Sequence, residues 1–137
     1  MDASEKLAIH EVLARAVFGL DQRNVFIIEP CFTEDATFIL EIKDGEEIPP
    51  FVGRDAIMQL MVDAMNAHQE DRRHIVSNIF FEAERDDTAT VVSTLAAFQA
   101  EHGQIGVMTS GVYRDQLKKA DGAWRISVRH LALNVPF

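Results

Sequence analysis

The sequence predicts an α+β domain in which three N-terminal helices cover one face of a curved, mostly antiparallel sheet. Apolar residues recur at helical spacing near the N-terminus and alternate with polar residues through most of the second half. Turn-forming segments separate the long alternating runs, which is typical of an antiparallel meander. Helices first and strands later is the order of an α+β domain. At 137 residues the chain has the length of one domain, which we expect to span residues 1–137.

The first helix is predicted over residues 4–22. Ser4 can cap its start, because a serine side chain can accept a hydrogen bond from a free backbone N–H. An apolar stripe at helical spacing begins at Ile9 and ends at Leu20, and Asp21 follows directly. This helix therefore places a carboxylate beside its own buried stripe.

Two shorter helices are predicted further along the chain. One runs from Asn24 to Cys31, with Pro30 near its end. The other follows a turn at Gly53, and Asp55 lies where the helix dipole favours a negative charge. The buried stripe of this third helix is Ile57, Leu60, Met61, Ala64 and Met65.

Alternating apolar and polar residues predict the strands. The first strand is predicted over residues 33–43 and ends at the Asp44-Gly45 pair. Later strands are predicted near residues 72–85, 88–102, 104–118 and 123–134. Turns at residues 85–87, 102–103 and 120–122 join them into the meander, and Trp124 is expected in the core.

Charge and composition exclude several classes of function. With 22 acidic and 13 basic residues, the formal net charge is −9, which repels phosphate backbones and anionic membranes. Nine Phe against one Trp and one Tyr favour an apolar core or cavity. Cys31 is the only cysteine, which excludes an intramolecular disulfide, and we expect it to be buried. No leader or membrane-spanning segment is recognised, so we expect a cytoplasmic protein.

Asp21 and His74 are the residues best suited to chemistry. If the fold brings them together in an apolar pocket, a carboxylate and an imidazole can move a proton near neutral pH without a metal or cofactor. Two structural readings compete with this one. Asp21 can simply accept hydrogen bonds from the turn at residues 22–24, and His74 can bond a backbone carbonyl.

The residues around His74 support no metal site. His68, Glu70 and Asp71 lie close in sequence to His74, but a change from helix to strand falls between them. The spacing that places two ligands on one helix face is then lost, so we expect neither a metal nor a cofactor. Arg72 and Arg73 are expected on the solvent side or at an interface, where one of them can pair with an acidic residue across the sheet.

Five landmarks in order along the chain resemble the nuclear-transport-factor-2-like superfamily, and specifically its SnoaL-like branch. The first is Asp21 at the end of the first helix. The others are CFTEDA at residues 31–36, FVGRDAI at 51–57, Arg73-His74 with Ser77-Asn78, and GAWRI at 122–126. The resemblance covers nearly the whole chain and extends to scytalone dehydratase and to the beta subunits of ring-hydroxylating dioxygenases. It is more specific for fold than for function, because one fold hosts many activities.

The resemblance implies a cone-shaped fold with a pocket between the helices and the concave face of the sheet. In dehydratase-like members an aspartate and a histidine face each other across that pocket, and Asp21 and His74 hold those positions here. The expected pocket residues are Val17, Leu20, Met61, Asn78, Gln99, Thr109 and Tyr113. Gln99 stands where the dehydratase pattern has a second histidine, and Leu20 precedes Asp21 in a family that uses pocket tyrosines. The site therefore has fewer polar groups and suits a more apolar substrate.

Three functions follow from this resemblance. The first is a cofactor-independent lyase or isomerase acting on a hydrophobic cyclic or aromatic molecule, with Asp21 and His74 as catalytic residues. The second is a non-catalytic beta-type subunit of a ring-hydroxylating dioxygenase, and the third is a small-molecule binding protein. In each case we expect a homo-oligomer, either a dimer or a trimer, and no nucleic-acid or membrane partner.

Overall fold

Helices precede most of the strands in the computed structural model, which describes residues 1–136. Within that range there are three helices: α1 (Ala3–Asp21), α2 (Val25–Ile28) and α3 (Arg54–Asn66), with a 3-10 turn (Glu29–Cys31) after α2. Six strands complete it: β1 (Phe32–Ile42), β2 (Phe51–Val52), β3 (Asp71–Glu84), β4 (Thr88–Glu101), β5 (Gln104–Ala120) and β6 (Ala123–Leu133). No helix of residues 1–136 is long and apolar enough to cross a membrane.

Helix α1 begins one residue earlier than predicted, because a different side chain caps it. Asp2 has extended backbone angles, and its Oδ1 accepts the backbone N–H of Glu5 at 2.9 Å. The expectation that Ser4 is the cap was wrong, since Ser4 lies inside the first turn and its hydroxyl donates to Asp2. The helix ends at Asp21, and Arg23 turns the chain with a φ of 54°.

The strands form one six-stranded sheet in the order β2-β1-β6-β5-β4-β3. The last four strands are the predicted antiparallel meander. Strand β1 pairs in parallel with β6, and the two-residue β2 pairs with β1; the sequence analysis foresaw neither pairing. The His102-Gly103 and Asp121-Gly122 turns have positive φ at both residues, which matches the right-handed twist of the strands they join.

The core lies between the helices and one face of the sheet, as the predicted α+β class requires. Ile9 and Leu13 of α1 and Ile57 of α3 are fully buried against it. Trp124 is buried as expected. Cys31 is buried too, and burial raises the pKa of its thiol, which disfavours the reactive thiolate.

Candidate functional site

A cavity of about 100 Å³ lies between α1, α3 and the sheet. Its wall is mostly apolar, and it includes four residues expected there: Val17, Leu20, Met61 and Tyr113. Asp21 and His74 also line it. The helices supply these residues because their buried stripes face the sheet, and the carboxylate of Asp21 continues the stripe of α1 by one position.

Asp21 and His74 meet in this cavity through two hydrogen bonds. His74 Nδ1 lies 2.6 Å from Asp21 Oδ1, and the backbone N–H of His74 donates to Asp21 Oδ2 at 2.8 Å. The side chains are 3% and 6% exposed for Asp21 and His74, respectively, so water hardly competes for either contact. The carboxylate thus fixes both the imidazole and the strand that carries it, although 53 residues separate the two in sequence.

The contact determines which ring nitrogen of His74 carries a proton. An ionised carboxylate has only acceptor oxygens, so the shared hydrogen belongs to Nδ1. In the neutral imidazole the other nitrogen, Nε2, is then an acceptor. The arrangement can therefore take a proton from a molecule in the cavity, with the carboxylate stabilising the imidazolium that results.

A buried ion pair, not foreseen from the sequence, supports the opposite wall. Arg129 donates to Asp115 through Nε at 2.8 Å and through a terminal nitrogen at 3.0 Å. Burial opposes the charge of Arg129, but the Asp115 carboxylate outweighs it and raises the pKa of Arg129. The guanidinium lies over the ring of Tyr113, 4.1 Å from its centroid, and burial raises the pKa of Tyr113 to about 12. The signal in the sequence was two opposite charges at inward positions of neighbouring strands.

Three residues expected to line the cavity do not do so. Asn78 is exposed, because β3 is irregular between Ser77 and Phe80 and the alternation that relates Asn78 to His74 ends there. Asn78 itself has a φ of 53°. Gln99 pairs with Arg72 but is not part of the cavity wall. Thr109 is buried, and its hydroxyl donates to the carbonyl of Val135 at 2.7 Å, which ties β5 to the C-terminal segment.

Two further polar side chains line the cavity. Arg72 was expected on the solvent side or at an interface, and this was wrong: its side chain is 17% exposed, faces the cavity and donates to Glu70 Oε1 at 3.0 Å. Glu70 is only two residues away, so this is not the cross-strand pair considered from sequence. His68, just before β3, also lines the cavity. Among residues 1–136, no three His, Cys, Asp or Glu side chains are grouped to hold a metal ion.

Comparisons with known proteins agree with this architecture. A Mycobacterium tuberculosis protein of unknown function is 29% identical with a TM-score of 0.79, and the match covers 95% of this chain and 72% of that one. A Novosphingobium aromaticivorans protein assigned as a scytalone dehydratase is 22% identical with a TM-score of 0.81, and the match covers 96% of this chain and 85% of that one. A protein from the same organism assigned as the beta subunit of an aromatic-ring-hydroxylating dioxygenase is 16% identical with a TM-score of 0.79, and the match covers 98% of this chain and 92% of that one.

The family comparison covers almost the entire sequence. Among proteins with curated functions, none matches the chain. The family model described as the SnoaL-like domain matches residues 1–130. The chain belongs to the SnoaL-like domain family.

Proposed function

We propose that the protein is a cofactor-independent lyase or isomerase that moves a proton on a hydrophobic cyclic or aromatic molecule. The observation that carries the proposal is the buried contact between Asp21 and His74 at the wall of an apolar cavity. One of the solved structures similar to this chain is assigned as a scytalone dehydratase, which is a lyase. That relative supports the fold, and the site geometry supports the chemistry.

His74 is the base in this proposal, and Asp21 is its partner. Nε2 of His74 takes a proton from a carbon or hydroxyl group of the ligand, and Asp21 stabilises the positive ring. The apolar residues around the pair, such as Leu20 and Met61, bind the hydrocarbon part of the ligand and keep water away. A positioned acid–base group of this kind contributes roughly 10²–10⁴-fold to a rate.

The test is solvent-deuterium exchange into a panel of cyclic ketones, such as β-tetralone, followed by NMR. We expect the wild-type protein to catalyse exchange at the carbon next to the carbonyl group. His74→Gln should lower that rate by about 10²–10⁴-fold, because glutamine cannot take up the proton. His130→Gln is the matched control, since His130 pairs with Glu41 and lies outside the cavity wall. Equal exchange rates for wild type and His74→Gln would contradict the proposal.

A second candidate function is a non-catalytic subunit that packs against another chain. The observation that favours it is a set of exposed large apolar side chains on α2 and the sheet: Phe26, Ile75, Phe80, Ile105 and Val107. Contiguous exposed apolar surface marks an interaction site, and Ile105 and Val107 share one face of β5. We propose that a second copy of the chain covers it, as a dimer or trimer, and that a larger partner is the alternative occupant.

A further inference from the structure

A groove of about 730 Å³ runs along the outside of the molecule between α1 and β3. Strand β3 is at the end of the sheet formed by residues 1–136, so one of its edges is unpaired. Phe18 of α1 and Ile75 of β3 line the groove and are 55% and 50% exposed. The groove is distinct from the cavity between the helices and the sheet, although Val17, Asp21 and His74 lie at the boundary and line both. Its volume is within the range of roughly 300–1,000 Å³ that is typical of binding sites.

Two contacts show which backbone groups of β3 point away from the sheet. The N–H of His74 donates to Asp21 Oδ2 at 2.8 Å, and the carbonyl of Arg72 accepts a hydrogen bond from Arg73 Nη1 at 2.7 Å. In an antiparallel strand both backbone groups of a residue point to one side, and the side alternates along the chain. The C=O of His74 and the N–H and C=O of Val76 therefore also point away from β4, and within residues 1–136 no hydrogen bond satisfies them.

The arrangement of these free groups is that of a β-ladder. A peptide that lies antiparallel to β3 can exchange two hydrogen bonds with Val76 and donate a third to the carbonyl of His74. Peptides that add a strand to a sheet edge obtain affinity from such main-chain bonds and specificity from the side chains beside them. The pattern therefore matches a polypeptide backbone better than a small apolar molecule.

The free part of the edge is short. At one end Asp21 already occupies the N–H of His74, and at the other end β3 is irregular between Ser77 and Phe80, where Asn78 has a φ of 53°. Irregularities of this kind prevent long strands from pairing with an edge. A second copy of β3, which is 14 residues long, is therefore poorly matched to this edge, whereas a few extended residues of another protein fit it.

The side chains around the free edge define the chemistry of the peptide. Arg73 and Ile75 share the outer face of β3, and Arg73 is exposed and forms no ion pair within residues 1–136. Arg73 can therefore pair with an acidic side chain on that face of an added strand. The apolar side chains that line the groove include Ala14, Phe18, Ile27, Ile75, Val76 and Ile79. They favour apolar residues on the other face of the strand, which turns towards α1.

We propose that the groove between α1 and the free edge of β3 binds a short extended peptide of another protein, with alternating apolar and polar residues and at least one acidic residue. The peptide adds an antiparallel strand at Val76. Side chains alternate along a strand, so the acidic residue opposite Arg73 is the third after the residue opposite Val76. This interaction goes beyond the proposed function and is independent of it, because neither Val76 nor Arg73 takes part in the acid–base chemistry.

The test measures binding of the peptide amide Thr-Val-Thr-Val-Asp-Thr, labelled with fluorescein at its N-terminus, by fluorescence anisotropy. Versions with Ile, Leu or Phe at the valine positions are measured beside it. We expect saturable binding to the wild-type protein. N-methylation of the first valine should weaken binding by about tenfold, because it removes the N–H that donates to Val76. N-methylation of the next threonine is the matched control, since that N–H points away from β3 and its loss should leave binding unchanged.

Variants of the protein test the same contacts from the other side. Val76→Pro removes the N–H that faces the groove and none of the bonds to β4, so it should also weaken binding by about tenfold. Phe18→Ser should have a similar effect, whereas Phe26→Ser, at an 85% exposed position outside the groove, should have none. Thermal unfolding of each variant checks that the fold is retained.

A reversal of charge separates pairing at Arg73 from a general loosening of the structure. Arg73→Glu should bind the peptide with Lys in place of Asp about two- to fivefold more tightly than the wild-type protein does, the effect of one exposed ion pair. A variant that is merely destabilised does not gain affinity for any peptide. Equal affinities of this variant and the wild type for the Lys peptide would show that the assignment of the acidic residue is wrong.

Three other results would overturn the inference. The first is a wild-type protein that binds none of the peptides. The second is binding that both N-methylated peptides retain, which would show that the groove takes apolar molecules without strand pairing. The third is a dimer of the wild-type protein that Val76→Pro converts to a monomer, which would make a second copy of the chain the occupant of the edge.

Discussion

At the scale of single residues, the fold uses carboxylates to position basic side chains. Asp21 binds both the ring and the backbone N–H of His74, so one side chain orients the imidazole and anchors the start of β3. Asp115 orients the guanidinium of Arg129 by accepting two hydrogen bonds from it. Asp21 and His74 both line the cavity, whereas only Arg129 of the second pair does, and its guanidinium is bonded twice to Asp115. The two pairs therefore differ in what they can do chemically.

The Arg129–Asp115 pair gives a prediction about stability. Arg129→Met should lower the free energy of unfolding by about 3–5 kcal/mol, because it leaves the Asp115 carboxylate buried and unpaired. The double variant Asp115→Leu/Arg129→Met should recover most of that loss, since no uncompensated charge remains. Urea unfolding measures both. If the double variant is as unstable as Arg129→Met, the unpaired carboxylate is not the cause of the lost stability, and the prediction is wrong.

At the scale of elements, the site depends on how closely α1 approaches α2. Gly19 lies in the last turn of α1, two residues before Asp21. A Cβ on Gly19 would lie 2.6 Å from Ile28 Cγ1, which is closer than packed atoms allow, and 3.0 Å from Ile27 Cβ, which is a tight contact. Glycine is unfavourable within a helix, but the missing side chain of Gly19 allows the end of α1 to pack closely against α2.

Gly19→Ala is predicted to destabilise the protein. In an exposed helix this change is stabilising by about 0.5–1 kcal/mol. Here the overlap with Ile28 should instead destabilise by about 1–3 kcal/mol, and it should displace Asp21 from His74. Chemical denaturation gives the sign of the change, and Ala8→Gly, at an exposed position of the same helix, measures helix propensity alone. Increased stability for Gly19→Ala would contradict the packing argument.

At the scale of the whole molecule, one side of the sheet encloses the cavity while apolar side chains remain exposed elsewhere. Ile105 and Val107, at the start of β5, are 78% and 74% exposed. The surface charge is strongly negative, so these side chains are a more natural contact for another protein than for nucleic acid.

Self-association through these side chains is predicted. Light scattering after size exclusion should give the mass of a dimer or trimer, and replacing Ile105 and Val107 together by lysine should shift it towards the monomer. Leu7→Lys, at an exposed apolar position of α1, is the control. A wild-type monomer at micromolar concentration would contradict self-association, and recovery with a larger chain from native cells would favour the subunit alternative.

The sequence predicted the elements better than it predicted the cavity wall. Periodicity located α1, α3 and the meander because spacing and turn residues act locally along the chain. It placed Asn78 in the cavity because alternation was continued through a position where β3 is irregular. It placed Arg72 outside the cavity because arginine side chains are usually exposed, whereas here Arg72 lines the cavity and Glu70 pairs with its guanidinium. Such local departures follow from contacts that distant segments impose.

The sequence by itself determined the fold class, the order of the helices and strands, and Asp21 and His74 as the residues to examine. Only the tertiary structure decided that they lie 2.6 Å apart, that Arg129 is matched by Asp115, and that Arg23 fixes the loop of His68. The physical reason is the range of the interactions. Helix stripes, caps and turns depend on neighbours a few residues away, whereas each of these contacts joins different elements and depends on how they pack against one another.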